Sequence, residues 1–312
     1  MSERQLPYSR TFLESVPLRF INLQELSRGA LDSRALAEDG YWQICAEEPV
    51  ALLLLRAGRP YRIVGHQTPD LASFIRYLTK DKRELTITFR FVDKGALPCI
   101  LKVWSEQPAL REMESAEGDI MDLLRSLKRA AESGLLELEY NGVTSLIPID
   151  SGKISRGFLP GRTMRGRELL TYLSKELPDG ARGSFYPGAV PSLAPVGLSE
   201  IGLLVASFNN WLEALRPTWP ECDDITEDLY RGLARENAFL DAFEFYPDDG
   251  LFLRKPLEQP ELLPGVFVKL IKGVAERHAS AETCIRVFGS ANRENRVALA
   301  TAGLKEIVGS GV

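Results

Sequence analysis

The sequence predicts an α+β fold: two tandem helix–β–β–β–helix–β units with mostly antiparallel sheets, followed by a mainly helical C-terminal domain. Three observations carry this expectation. Residues 37–80 reappear in diverged form at 131–175. Within each copy, apolar positions switch between strand and helix spacing at turn residues. Beyond a Pro- and Gly-rich stretch from Pro187 to Gly197, apolar stripes recur at helical spacing. The expected domains are residues 1–112 and 113–190, one repeat each, and a helical domain over 191–312.

The repeat comes first because a missed period misreads the whole fold. Ala37-Glu38-Asp39-Gly40 aligns with Ala131-Glu132-Ser133-Gly134 at an offset of 94 residues. The match runs without a gap through Leu52/Leu146, Gly58/Gly152 and Arg62/Arg156. After one insertion, Thr68 meets Thr163 and Tyr77-Leu78 meets Tyr172-Leu173.

Each copy is expected to open with a helix, Asn22 to Leu36 in the first and Asp119 to Glu132 in the second. Ile120, Leu123, Leu124 and Leu127 share one helical face. Gly40 and Gly134 stand where a helix C-cap would be. Strands at Leu135–Tyr140 and Val143–Ile149 flank Asn141-Gly142, a strong hairpin signal because both residues tolerate positive φ. Gly58 and Gly152 mark a second turn into a third strand. Thr68-Pro69-Asp70 reads as a helix start, with a hydroxyl N-cap, proline at the first position and an acid in the first turn. Leu71, Phe74, Ile75 and Leu78 form its inner face. Thr163 begins the counterpart helix, with Leu169, Leu170 and Leu173 inward. Strands Leu85–Phe91 and Gly183–Tyr186 close the copies. Two arrangements satisfy this pattern: copies packed as a pseudo-dimer within the chain, or sheets that pair between chains.

In the last third, Leu198, Ile201, Leu204, Val205, Phe208, Trp211, Leu212 and Leu215 form a stripe stopped by Pro217. A second helix is expected from Thr226 to Phe243. Phe245 and Phe252 flank a small hairpin around Tyr246-Pro247-Asp248-Asp249-Gly250. Pro264 opens a helix with Val266, Phe267, Leu270, Ile271 and Val274 inward. A last helix, Glu294 to Val308, carries Val297, Leu304 and Ile307. A helix must bury such a face, so these stripes read as core.

The bulk numbers exclude some classes. With 38 basic and 43 acidic residues the net charge is -5, which argues against a dedicated nucleic-acid binder. The longest apolar run, Val50 to Leu55, is far short of the roughly 20 residues a bilayer span needs. Met1 to Arg10 is polar, contains Pro7 and does not resemble a signal peptide. Cys45, Cys99, Cys222 and Cys284 are scattered without a CxxC pair, as expected of reduced, buried thiols in a cytoplasmic protein.

Catalytic and cofactor motifs are missing. The two histidines, His66 and His278, sit in no motif, and no HExxH, GxSxG, GxxxxGK[ST] or GxGxxG occurs. No catalytic residue, metal ligand or cofactor is therefore expected. One constellation departs from this plain background: Lys153, Arg156, Arg162, Arg165 and Arg167 crowd a loop and a helix start. Cations at a helix N-terminus oppose its dipole by about 0.3–1 kcal/mol each, and free backbone N–H groups there suit an anion. The first copy carries His66, Gln67 and Asp70 instead. The cluster therefore reads as an anion-docking site or as a solvated loop. The spacing of a PilZ-type cyclic-dinucleotide site is not met.

Gly134-Leu135-Leu136-Glu137-Leu138, the strand ending Ile147-Pro148-Ile149, and Ser151-Gly152-Lys153-Ile154 resemble the PATAN domain, named from the N-terminal domain of a class of bacterial response regulators. The resemblance covers residues 119–186 and, more loosely, 22–91. It departs at Ser155-Arg156-Gly157, where the family commonly has a small residue, and no receiver domain with a phosphoacceptor aspartate accompanies it. It implies a non-catalytic signalling or protein-interaction module and supplies no catalytic residues. The expectation is thus a cytoplasmic bacterial adaptor that binds acidic or phosphorylated protein partners, with no nucleic acid and no membrane insertion. The alternative is a sensor for a phosphate-bearing small molecule at 153–167. The sequence fixes no oligomeric state.

Overall fold

The computed structural model describes residues 5–23, 38–47, 49–81, 83–114, 118–193 and 196–309. The chain is α+β, with antiparallel sheets and a helical C-terminal region. It divides into two compact units, Met1–His66 with Asp81–Leu193, and Gln67–Lys80 with Ala194–Val312.

In the first unit, β1 (Arg10–Pro17), β2 (Gly40–Cys45), β3 (Pro49–Arg56), β4 (Arg59–Val64) and β5 (Thr86–Phe91) form one sheet in the order β1-β5-β2-β3-β4. The second sheet uses β6 (Leu110–Glu114), β7 (Gly134–Tyr140), β8 (Val143–Asp150), β9 (Lys153–Ile154), β10 (Arg156–Leu159), β11 (Arg162–Arg165) and β12 (Arg182–Pro187). Its order is β6-β12-β7-β8-β10-β11, with β9 on β8. The duplication holds in register. Tyr41 lies opposite Arg90 and Leu54, as Leu135 lies opposite Tyr186 and Pro148. Gln43 lies opposite Thr88 and Leu52, as Glu137 lies opposite Ser184 and Leu146.

The structure adds a strand at the start of each copy: β1 beside β5, and β6 beside β12. The β1 ladder shifts register twice, so its side chains do not alternate cleanly. The expected helix Asn22–Leu36 lies almost wholly outside the described residues. Gly40 and Gly134 are not C-caps; they open β2 and β7. Ala131, at φ 51°, ends the second helix instead. Gly134 is needed for close approach, since a Cβ there would sit 2.3 Å from the Phe185 ring. Asn141-Gly142, at φ 49° and 78°, makes the expected two-residue turn. Ala57-Gly58 and Ser151-Gly152 repeat that conformation.

Between the sheets runs a helix that the sequence reading did not anticipate, Ala96–Ser105. Leu97, Cys99, Ile100 and Val103 join one core with Tyr41, Leu52, Leu54 and Tyr61 of the first sheet and Leu135, Leu146, Phe158 and Tyr186 of the second. The copies therefore pack together within one chain, and the expected units 1–112 and 113–190 share a core. Lys102 is buried in the same helix, where its Nζ donates to Glu106 Oε2 at 2.6 Å and to the Pro187 carbonyl at 2.9 Å. Residues 5–9 tie the copies together. The Thr144 N–H donates to the Gln5 carbonyl at 2.9 Å, and the Ser9 N–H to the Phe91 carbonyl at 2.8 Å. The opposite face of the second sheet is covered by Ile120 and Leu127 of helix Asp119–Ala130 and by Leu169 of helix Gly166–Thr171.

The second unit includes the helix Leu71–Lys80, which the repeat pattern had assigned to the first copy. Asp70 caps it, rather than Thr68: Oδ1 accepts from the Ser73 N–H at 2.7 Å. Helices Leu198–Leu215, Cys222–Glu236, Leu263–Arg277 and Ala281–Ala291 build the core around Phe208, Trp211, Phe267 and Phe288. The last of these four was not read from the sequence. The second helix stops before Phe243, which starts a hairpin of Phe243–Tyr246 and Gly250–Leu253. The Tyr230 hydroxyl fixes that exit by donating to the Leu240 and Phe243 carbonyls, each at 3.0 Å. The expected helix Glu294–Val308 is broken at Gly303, φ 105°, and Val297 is 82% exposed instead of inward. All four cysteines are free and buried. Among the described residues, no helix is long and apolar enough to cross a membrane.

Candidate functional site

Three of the five basic residues, Arg156, Arg162 and Arg165, fall on the edge hairpin of the second sheet; Lys153 lies on β9 and Arg167 on the helix that follows β11. Pro160-Gly161 turns β10 into β11 with Gly161 at φ 78°, where Gly carries no Cβ penalty. This hairpin displaces the expected helix start. Thr163 is not an N-cap but a strand residue whose hydroxyl bonds the Asp93 carboxylate. Arg165 is the capping position, and the helix has only six residues. It continues without a break as a π-helical segment, Tyr172–Glu176.

The hairpin also sorts the cations. Arg156 lies directly opposite Arg165, while Arg162 lies opposite Leu159 and so projects from the other face. Arg162 Nη1 comes within 4.0 Å of Glu168 Oε1, but both side chains are more than half exposed, so the pair is weak. Lys153 faces Asp150 across the neighbouring turn. Arg156 turns inward: its Nη1 donates to the Lys94 carbonyl at 3.2 Å, and its guanidinium lies 5.3 Å from the Phe158 ring centre. It packs tightly against Gly95. Its charge also reaches Cys99, whose thiol burial nonetheless pushes up to about 12. Lys153, Arg165 and Arg167 are exposed and make no ion pair among the described residues. The structure thus brings Arg156 and Arg165 together, leaves Arg167 just beyond on the helix, and separates Arg162 and Lys153 from them.

A second location carries polar groups that the sequence reading did not single out. On the inner face of the second sheet, Leu135 joins the core with the central helix, and the next two positions on that face, Glu137 and Glu139, lie beside the C-terminal end of that helix. They lie opposite Ser184 and Arg182. Together with Trp104, Arg111 and Tyr186 they line an open groove of about 720 Å³. Glu137 is 6% exposed, and its Oε2 accepts from the Tyr186 hydroxyl at 2.8 Å. The signal was present as acids at alternating strand positions after an apolar one. Its meaning depended on knowing where the unanticipated helix ends. None of the five basic residues lines this groove. Among the described residues, no group of His, Cys, Asp and Glu side chains could hold a metal ion. Comparison with protein-family models, with curated proteins and with solved structures gave no match.

Proposed function

We propose that this protein is a non-catalytic bacterial adaptor of the cytoplasm, PATAN-like in its paired modules, that docks an acidic or phosphorylated protein on the β10–β11 hairpin. One observation carries the reading. Arg156 and Arg165 face each other across an edge hairpin, and like charges directly opposite each other destabilise a strand pair. Arg165 and Arg167 are exposed and make no ion pair among the described residues, while Arg156 lies half-buried behind them. An anionic surface would relieve that repulsion and form charge-assisted hydrogen bonds. Duplicated modules sharing one core also fit the role: the shared core supplies rigidity, and a loop present in one copy supplies specificity.

The test is recovery of partners from the native cell by wild type and by the variant Arg162→Glu/Arg165→Glu/Arg167→Glu, with circular dichroism confirming that both fold. A partner lost only in the variant, and regained when acidic residues on that partner are changed to Lys, supports docking at the hairpin. Unchanged partners refute it.

A further inference from the structure

The backbone of the β10–β11 hairpin has a definite polarity. The Gly166 N–H donates to the Ser155 carbonyl at 3.3 Å, one step past the paired residues. Bonded and non-bonded positions alternate along an antiparallel ladder. Gly157/Met164 and Leu159/Arg162 are therefore bonded pairs, and Arg156/Arg165 and Phe158/Thr163 are non-bonded ones. The far side of β10 agrees: Phe158 is the residue that meets Leu146 of β8, so its backbone groups point away from β11. By the same alternation, the N–H and C=O groups of Thr163 and Arg165 point away from β10, to the outer edge. Among the described residues, no strand pairs with that edge. Glycines bound it, and a Cβ on Gly161 or Gly166 would meet nothing within 4 Å. It is also the regular edge. The strands at the other ends of the two sheets, β1, β4 and β6, each pair with a register shift, and β4 carries Pro60; β11 pairs without one. Bulged or proline-bearing edges resist an added strand, and a regular edge accepts one.

From this we infer, resting on the docking reading above, that the partner binds as an extended acidic segment added antiparallel to β11 as a further strand. Charge selects the occupant. Arg162, Arg165 and Arg167 are exposed, so this edge repels a second copy of itself and attracts an acidic chain. Main-chain hydrogen bonds to Thr163 and Arg165 hold the segment, and alternate side chains give specificity. The residue opposite Arg165 projects on the same face as Arg165 and Arg156, and an acid there makes a charge-assisted contact. The residue opposite Thr163 is not an acid, because the Asp93 carboxylate already holds the Thr163 hydroxyl on that face.

The test uses the peptide Glu-Val-Glu-Val-Thr-Val, acetylated and amidated, which sets its second Glu opposite Arg165 and its Thr opposite Thr163. The readout is the backbone amide resonance of Arg165 at constant ionic strength. The peptide should shift it saturably. N-methylation of the second Glu and the Thr removes the N–H groups turned toward β11 without changing charge, and should weaken binding at least tenfold. N-methylation of the first two Val alters N–H groups turned away from β11, and should leave binding as it was. Thr163→Pro, which removes an edge-facing N–H, should weaken binding at least tenfold, while Thr163→Val, which removes only the hydroxyl, should not. If Thr163→Pro unfolds the chain, the two methylated peptides still decide the question on the wild-type protein. Equal binding of both methylated peptides, lost in the Arg162→Glu/Arg165→Glu/Arg167→Glu variant, would overturn strand addition and leave charge-driven docking standing. No saturable shift with the parent peptide would also overturn it, and partner recovery then decides docking separately.

Discussion

Replacing Arg165 with Glu should stabilise the protein while abolishing the docking proposed for the β10–β11 hairpin. The position faces Arg156 across β10–β11, and it is also the N-cap of helix Gly166–Thr171. Reversing its charge turns a repulsive strand pair into an attractive one and sets an acid where the short helix exposes N–H groups. Each effect is worth a few tenths to about 1 kcal/mol at an exposed site. Arg156 is held by the Lys94 carbonyl, so its charge stays near the new carboxylate. We therefore expect a gain of about 0.5–1.5 kcal/mol. With a urea dependence of roughly 2 kcal/mol per molar, the unfolding midpoint should rise by about 0.3–0.7 M.

The control is Lys153→Glu, which changes net charge by the same amount. Lys153 faces Asp150, so the change creates a like-charge pair and should lower the midpoint by about 0.2–1 kcal/mol in stability. Urea titrations at 20 mM and 1 M NaCl, followed by circular dichroism, read both. Each effect should shrink at high salt, where the screening length falls to about 3 Å. If both variants moved the midpoint in the same direction, the chain would be responding to its overall charge and not to strand partners, and the local reasoning would fail.

Two further outcomes follow from the core and the thiols. Ile100→Ala should cost about 2–5 kcal/mol, because the side chain is fully buried in the helix between the sheets. Hydrogen exchange should then speed up in β3 and β8 together, and acceleration confined to one sheet would refute the shared core. Stability should also fall as pH rises from about 9 to 11. Burial pushes the thiols of Cys222 and Cys284 up to about 11 and that of Cys99 to about 12. Below 9 these groups are neutral in both folded and unfolded chains; above it only the unfolded chain releases the protons, and equilibrium shifts toward it. Melting temperatures measured at pH 8, 9.5 and 10.5 check this, and a flat profile would contradict it.

The repeat was legible because its turns are chemically demanding. Asn141-Gly142 and Ser151-Gly152 need positive φ at both residues, and Gly58 marks the same turn in the first copy. Those positions fixed the strand ends, and strand pairing followed. Caps were read less well. Gly40 and Gly134 carry a glycine for room against Phe89 and Phe185 in the sheets, not to end a helix. Thr163 has the chemistry of an N-cap, yet Asp93, 70 residues away in sequence, claims its hydroxyl. Val297 sits on an apolar stripe that Gly303 breaks, so it turns to solvent.

The central helix eluded the sequence for a physical reason that also explains the groove. Ala96–Ser105 is buried on nearly every side, because a sheet packs on each flank, so it lacks the polar face by which helices are recognised. Its length is set by where burial ends: Trp104 is only partly covered, and Glu106 follows in extended backbone. The inner face of β7 runs on past that point. Leu135 has the helix above it, and Glu137 and Glu139 have the groove. The first copy continues the same face with Gln43 and Thr88, closed over by the chain. Duplication gave two equivalent faces to one short helix, and the copy left open is the one that carries acids. That asymmetry, and not any motif, is what distinguishes the inner faces of the two copies.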